Sequence, residues 1–263
     1  MTDPCTNKGT TSILLVHEAL AEMRRLGHDE SGLLVQAGIP PELLSKPFAR
    51  VSSQRYGQLW LMIGQAMDDE FFCMNVRRMK LATFAYISRA AVKEPTVGAA
   101  LEVLLRLFSL VFDDFSPQLV CHGGLAEITL TEAPGRQYRC VQLFHPWLLV
   151  RGLLCWLAGR RIPVLAIEPR CAAPEFIEDY QMMFSINLRF LRPYSRLLFN
   201  AEALQVLVRR SAPDLKRFLA GLPENILVRY RDPQSLAANI AAPCASAQRS
   251  RPSITIICEA LMC

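Results

Sequence analysis

The stretch FDDFSPQLVCHGGLAEITLT, residues 112–131, decides the fold class. Before it the apolar residues recur at helical spacing, and within it they alternate. Residues 118–121 and 125–131 flank the turn residues His122-Gly123-Gly124, and the second run sets Ala126, Ile128 and Leu130 against Glu127, Thr129 and Thr131. Alternation with period two on either side of a Gly-Gly turn predicts a β-hairpin with one buried face. A helical first part that gives way to such a hairpin predicts an α+β chain: an N-terminal helical region, a mixed sheet with covering helices, and C-terminal helices.

Working back from residue 112, three long helices are predicted. Val97, Leu101, Leu104, Phe108 and Val111 repeat at three and four after Pro95. Tyr56, Trp60, Ile63 and Met67 form a stripe behind Ser52 and Ser53, either of which can accept from free backbone N–H groups. Val16, Leu20, Met23 and Leu26 line the first helix behind a Thr11 or Ser12 cap, with Gly27 as its stop. Residues 31–38 read as a short helix closed by Gly38, and Pro40-Pro41 begins another. Downstream, residues 138–158 read as a helix with a break near Pro146, and Gly159 with Arg160 and Arg161 suits its C-terminus. Residues 162–167 read as a strand, so strand, helix and strand can close as a right-handed crossover. Residues 174–183 read as a short helix, residues 187–190 and 196–199 as a second strand pair around Pro193-Tyr194, and residues 201–208 and 213–220 as helices. The chain therefore divides into a helical part (12–112), a mixed α/β part (113–200), a helical connector (201–240) and an irregular tail (241–263).

With 51% hydrophobic and 20% charged residues among 263, the composition is that of a globular chain. The net charge is +5, and Lys occurs only at 8, 46, 80, 93 and 216. Arg forks match phosphate oxygens, yet here they are scattered in doublets such as Arg24/Arg25 and Arg209/Arg210 rather than gathered in a basic arm. The nine cysteines include no C-x-x-C pair and no His at zinc-finger spacing, so free, mostly buried thiols in a reducing compartment are predicted, with no metal. The N-terminus has Asp3 and a short apolar run at 13–16, unlike a signal peptide. The most apolar segment, residues 140–158, is interrupted by Gln142, His145, Pro146 and Arg151; a central Arg is costly in a membrane, so it reads as a buried helix of a cytoplasmic protein.

Catalytic patterns are missing from the sequence. His17, His28, His122 and His145 form no ligand pattern, and there is no G-x-S-x-G, G-x-G-x-x-G or G-x-x-x-x-G-K-[ST]. Asp68-Asp69-Glu70 and Asp113-Asp114 lack the alternating oxygen spacing of a calcium loop and read as solvated helix ends. No catalytic residue and no cofactor is expected. The chemistry that remains is aromatic surface accompanied by Arg, a combination that holds a small carboxylate, and its candidates are Trp60, Arg77, Phe84, His145, Trp147 and Tyr180.

A set of segments carries a family resemblance through its order: RVSSQRYGQLW (50–60), DDEFFCMNVRRMKLATFA (68–85), the helix after Pro95, HGGLA (122–126), CWLAGRRIP (155–163), EDYQMMFS (178–185) and LVRYRDPQSLAA (227–238). Over residues 12 to 240 the chain resembles AraC-family transcription regulators of the ornithine-utilisation-regulator-like subgroup. The resemblance implies an arabinose-binding-type sensor that takes a small organic effector, such as an amino acid or related acid, and forms a homodimer. It also implies Gly at the positions of Cys73 and Ala82, a residue used where φ is positive or a backbone comes close. The segment LPENILVRYRDPQSLAANI (222–240) resembles the connector to a helix-turn-helix pair; 23 residues follow it. A complete reader takes about a hundred. The expectation is a sensor that would reach DNA only through a C-terminal domain missing from this sequence. Two other readings are a small-metabolite enzyme, marked by turnover that depends on His145 or Cys155, and an inhibitor that forms mixed dimers with a full-length regulator.

Overall fold

The computed structural model describes residues 9–228, so the irregular tail and the end of the helical connector lie outside the described residues. Strand β1 (Thr10–Ser12) pairs antiparallel with β2 (Arg50–Ser52), and each runs directly into a helix: α1 (Ile13–Arg25) and α3 (Ser53–Met67). The last residue of each strand caps its helix. Ser12 Oγ accepts from Leu14 N and Ser52 Oγ from Arg55 N, both at 3.2 Å, filling donors that a helix start leaves free. Between them lie α2 (Ser31–Gln36) and a 3-10 turn at Pro41–Ser45. Helix α1 buries Val16, Leu20 and Met23, while Leu26 turns outward as the chain leaves through Gly27.

Helices α4 (Thr83–Ala91) and α5 (Val97–Val111) follow, then the predicted hairpin as β3 (Phe115–His122) and β4 (Leu125–Glu132). Helix α6 (Cys140–Ala158), strand β5 (Val164–Glu168), helix α7 (Ile177–Met183) and strand β6 (Ser195–Asn200) complete a four-stranded sheet of order β3-β4-β6-β5. The registers Ala126↔Phe199, Ile128↔Leu197 and Leu130↔Ser195 align the inward faces, which α6 covers. The fold is α+β. Helices α8 (Ala212–Ala220) and α9 (Glu224–Val228) end the described chain.

Several sequence expectations are corrected. Helix α6 runs unbroken through Pro146. Every residue from 140 to 157 is buried, so packing on all sides outweighs the lost hydrogen bond of one proline. The same helix is long and apolar enough to cross a membrane by composition, and it lies wholly inside the core. Strands β4 and β5 do run parallel, as a strand-helix-strand crossover requires, but they are not neighbours: β6 lies between them, antiparallel to both. Because both edges of β6 are taken, residues 187–190 do not pair with it; Leu188 instead bridges Ile167 on the outer side of β5. Residues 201–208 form only the 3-10 turn Ala201–Gln205, after which Val206 and Val208 bond the chain around Thr96.

The thiols are not all free. Cys140 and Cys171 form a disulfide, with Cα atoms 5.6 Å apart, where the start of α6 meets the loop before α7. Cys73, Cys121 and Cys155 are free, and of these only Cys155 is buried. The acidic clusters are solvated helix ends only in part: Asp68 and Asp113 are exposed at the ends of α3 and α5, and their neighbours are not. Asp69 and Asp114 are buried: Asp114 accepts from Val76 N at 2.6 Å and pairs with Arg136.

Backbone strain gathers in the loop after α3. Asp68, Phe72, Cys73 and Ala82 all have positive φ, at 48°, 57°, 55° and 70°. Cys73 and Ala82, where the resemblance implies Gly, are thus left-handed positions occupied by residues with a Cβ, which costs about 1–2 kcal/mol each. Ala82 is exposed, so Ala82→Gly loses little packing; after the entropy that Gly adds to the unfolded chain, it is expected to stabilise by about 0.5–1 kcal/mol. Urea denaturation measures this, and a loss of stability would contradict the assignment of strain.

Candidate functional site

Helix α3 and the loop that follows it converge on a buried imidazole of α6. His145 lies on α6, and the aromatic rings of Trp60, Phe71 and Phe72 pack around it at centroid distances of 4.3, 4.6 and 5.2 Å. Trp60 comes from the apolar stripe of α3. The two phenylalanines come from the loop after α3, which Asp69 ties down by accepting from the N–H groups of Phe71, Cys73 and Met79 at 2.8, 2.9 and 3.0 Å. Burial pushes the imidazole from its ordinary 6.5 down to about 3, against the opposing pull of the Glu70 main chain. The ring is therefore neutral at physiological pH, and its Nε2 has no hydrogen-bond partner among the described residues.

Helix α7 contributes Tyr180, stacked on Phe144 with centroids 4.0 Å apart and planes at 14°. Its neighbour Asp179 anchors α7 to the small sheet, accepting from Ser12 N at 3.2 Å and from Arg50 Nη2 at 2.8 Å. Burial, reinforced by nearby acidic groups and Tyr56, holds the Tyr180 phenol well above its usual range, so it stays protonated. Its hydroxyl also has no partner among the described residues. Together Tyr56, Trp60, Phe144, His145 and Tyr180, closed by Leu227, line a cavity of about 20 Å³, room for about one water.

Trp60 also walls a larger groove of about 180 Å³. Leu61, Gly64 and Gln65 of α3, Glu70, Leu81, Phe84 and Leu149 form its sides, and Leu222, Pro223 and Ile226 close it. The Glu70 carboxylate is held by Ala82 N and Phe84 N, both at 2.8 Å, and burial raises its pKa against those two bonds. Among the described residues, neither lining contains Lys or Arg.

Of the six residues singled out by chemistry, Trp60, His145 and Tyr180 meet at the inner cavity, and Phe84 lines the groove with Trp60. The other two do not join them. Arg77 sits on the surface, with Nε 3.2 Å from Asp113 and Nη1 bonded to the Leu110 carbonyl at 2.9 Å. Trp147 is fully buried, edge-on to Phe144 at 5.6 Å, and lines neither space. Sequence reasoning missed Tyr56, Phe72, Phe144 and the 222–227 segment. Tyr56 was within reach, since it lies one turn from Trp60 on the same stripe. Among the described residues, no group of three His, Cys, Asp or Glu side chains is placed to hold a metal ion.

Residues 27–207 match the family model described as the arabinose-binding domain of AraC transcription regulator, N-terminal. No curated protein matches by sequence. Among solved structures, the chain is similar to the transcriptional regulator CdpR from Pseudomonas aeruginosa, with 14% identity over 85% of this chain and 70% of that one and a TM-score of 0.39.

Proposed function

Since this chain belongs to the family of arabinose-binding domains of AraC transcription regulators, we propose that its described residues form an effector-sensing and dimerisation unit whose small organic ligand sits between α3, α6, α7 and α9. One observation carries this reading: two buried hydrogen-bonding groups, His145 Nε2 and Tyr180 Oη, have no partner among the described residues, in a cavity whose other walls, apart from Tyr56 and the Trp60 indole, are apolar side chains. Buried polar groups are normally satisfied, and exceptions that face a cavity leave room for a water or a ligand to bond there. A ligand supplies the missing partners. An amino acid or related acid would need a cation for its carboxylate, and both linings lack one.

A ligand changes a regulator only by binding one arrangement better than another. Helix α9 supplies that difference in this reading. Leu227 closes the inner cavity and Ile226 the groove, so an occupied site and an empty one hold α9 differently.

Thermal denaturation with a panel of metabolites tests the proposal. A ligand at 100 times its Kd is expected to add about 2.7 kcal/mol to stability. Leu61, exposed at the groove rim, offers a control that leaves the core intact: Leu61→Trp is expected to abolish the shift. A shift that survives in this variant would place the ligand elsewhere. Self-association is tested separately by sedimentation velocity, where a monomer at tens of micromolar would overturn the dimer.

A further inference from the structure

We propose that the ligand is an uncharged, largely apolar molecule carrying one hydroxyl, the hydroxyl seated between His145 Nε2 and Tyr180 Oη and the apolar body lying along Trp60 into the groove. This rests on the effector-binding reading above and narrows its chemistry. Three observations select the class.

The first is the pairing of an acceptor with a donor. The neutral His145 ring engages the Glu70 main chain, and its Nε2 carries a free lone pair; the protonated Tyr180 phenol offers an O–H. A hydroxyl donates to the first and accepts from the second, whereas a carboxylate has no proton for Nε2 and an ammonium has no lone pair for the phenol. The second is size. The inner cavity holds about one water, which matches a hydroxyl, and the ring or chain attached to it needs the larger groove.

The third is charge. Among the described residues, the only ionisable side chain in the groove lining is Glu70, already bonded to two backbone N–H groups. An anion there would face a carboxylate with no cation to offset it. A cation would lose its water in an otherwise apolar groove, where the one carboxylate already gives each of its oxygens to a backbone N–H. A neutral molecule meets neither cost. Its body finds Leu61, Leu81, Phe84, Leu149, Leu222 and Ile226.

Three probes of one shape separate the possibilities: benzyl alcohol, toluene and benzoate, titrated against the full chain by ligand-observed NMR. The expected affinity order is benzyl alcohol, then toluene, with benzoate weakest. In Tyr180→Phe, which removes only an unpartnered hydroxyl, the preference for the alcohol over toluene is expected to fall about 3–10-fold, while toluene binding and thermal stability hold. His145→Phe is expected to cut the same preference by a similar factor. Benzoate binding more tightly than benzyl alcohol would overturn the ligand class and leave the effector-binding reading standing. An alcohol preference unchanged in both variants would do the same. If none of the three binds, the ligand class falls, while the effector-binding reading stands or falls on the metabolite panel alone.

Discussion

Replacing Asp69 with Ala is expected to cost about 3–5 kcal/mol of stability, among the largest effects of any single substitution in the chain. The carboxylate is fully buried and accepts three backbone N–H groups, from Phe71, Cys73 and Met79. Removing it orphans all three donors at once, in a loop whose positive φ values at Phe72 and Cys73 are already unfavourable. The effect extends to the site. Phe71 and Phe72 are two of the rings around His145, so ligand-induced stabilisation is expected to vanish even where the variant remains folded. Asp69→Asn keeps an oxygen for Phe71 and Met79 but sets an amide N–H₂ toward Cys73 N, and should cost less than half as much. Guanidinium denaturation decides the matter, and a cost below about 1 kcal/mol for the alanine variant would show that water replaces the carboxylate.

The parts of this fold that can be read from sequence are those set by local repetition. The hairpin follows from alternation around Gly123-Gly124, and the stripes of α3 and α5 from apolar residues at three and four; in each case the burial pattern repeats what the spacing predicts. Ser12 and Ser52 are legible as caps because capping needs only the next turn of chain. What fails is whatever depends on a distant partner. Pro146 looks like a breaker until α6 is surrounded on every side. Residues 187–190 look like a partner for β6, but the neighbours of β6 are chosen by β4 and β5. Asp114 looks solvated, yet its acceptor oxygens are claimed by Val76, 38 residues earlier, and by Arg136. Cys140 and Cys171 carry no spacing signal across 31 residues.

The site divides along the same line. Residue chemistry alone pointed to Trp60, His145 and Tyr180, because a ring or imidazole in an apolar segment is a plausible ligand contact wherever it sits. Which of them meet is a tertiary matter: His145 and Trp147 are two residues apart on one helix and face different surroundings. Arg77 shows the reverse error. An arginine accompanied by aromatic residues suggests a place for a small carboxylate, but the chain after Cys73 carries Arg77 to the surface and Asp113. The resemblance was more specific about backbone than about side chains, since the positions where it implies Gly, Cys73 and Ala82, both have positive φ.

Gly152→Val is the second large effect, and it separates the site's wall from the site's contents. A Cβ at position 152 would lie 2.3 Å from Ile226 Cγ2 and 2.8 Å from Ile226 Cβ, so α9 nests on α6 only because residue 152 has no side chain. Ile226 is itself buried, and α9 is held from the other side by α3 at Gly57, where an added Cβ would meet Glu224 and Pro223 at 3.7 Å. Valine therefore has to push α9 outward, at an expected cost of about 2–3 kcal/mol after the small gain from replacing a helical Gly. Opening that wall exposes both cavities, through Leu227 and Ile226, and ligand affinity is expected to fall at least tenfold although Trp60, His145 and Tyr180 are untouched. Ile226→Ala in the same chain removes the atom that clashes first. The double variant should then recover at least about 1 kcal/mol relative to the sum of the two single costs. Additive costs would mean that residues 152 and 226 do not touch, and that α9 does not close the site.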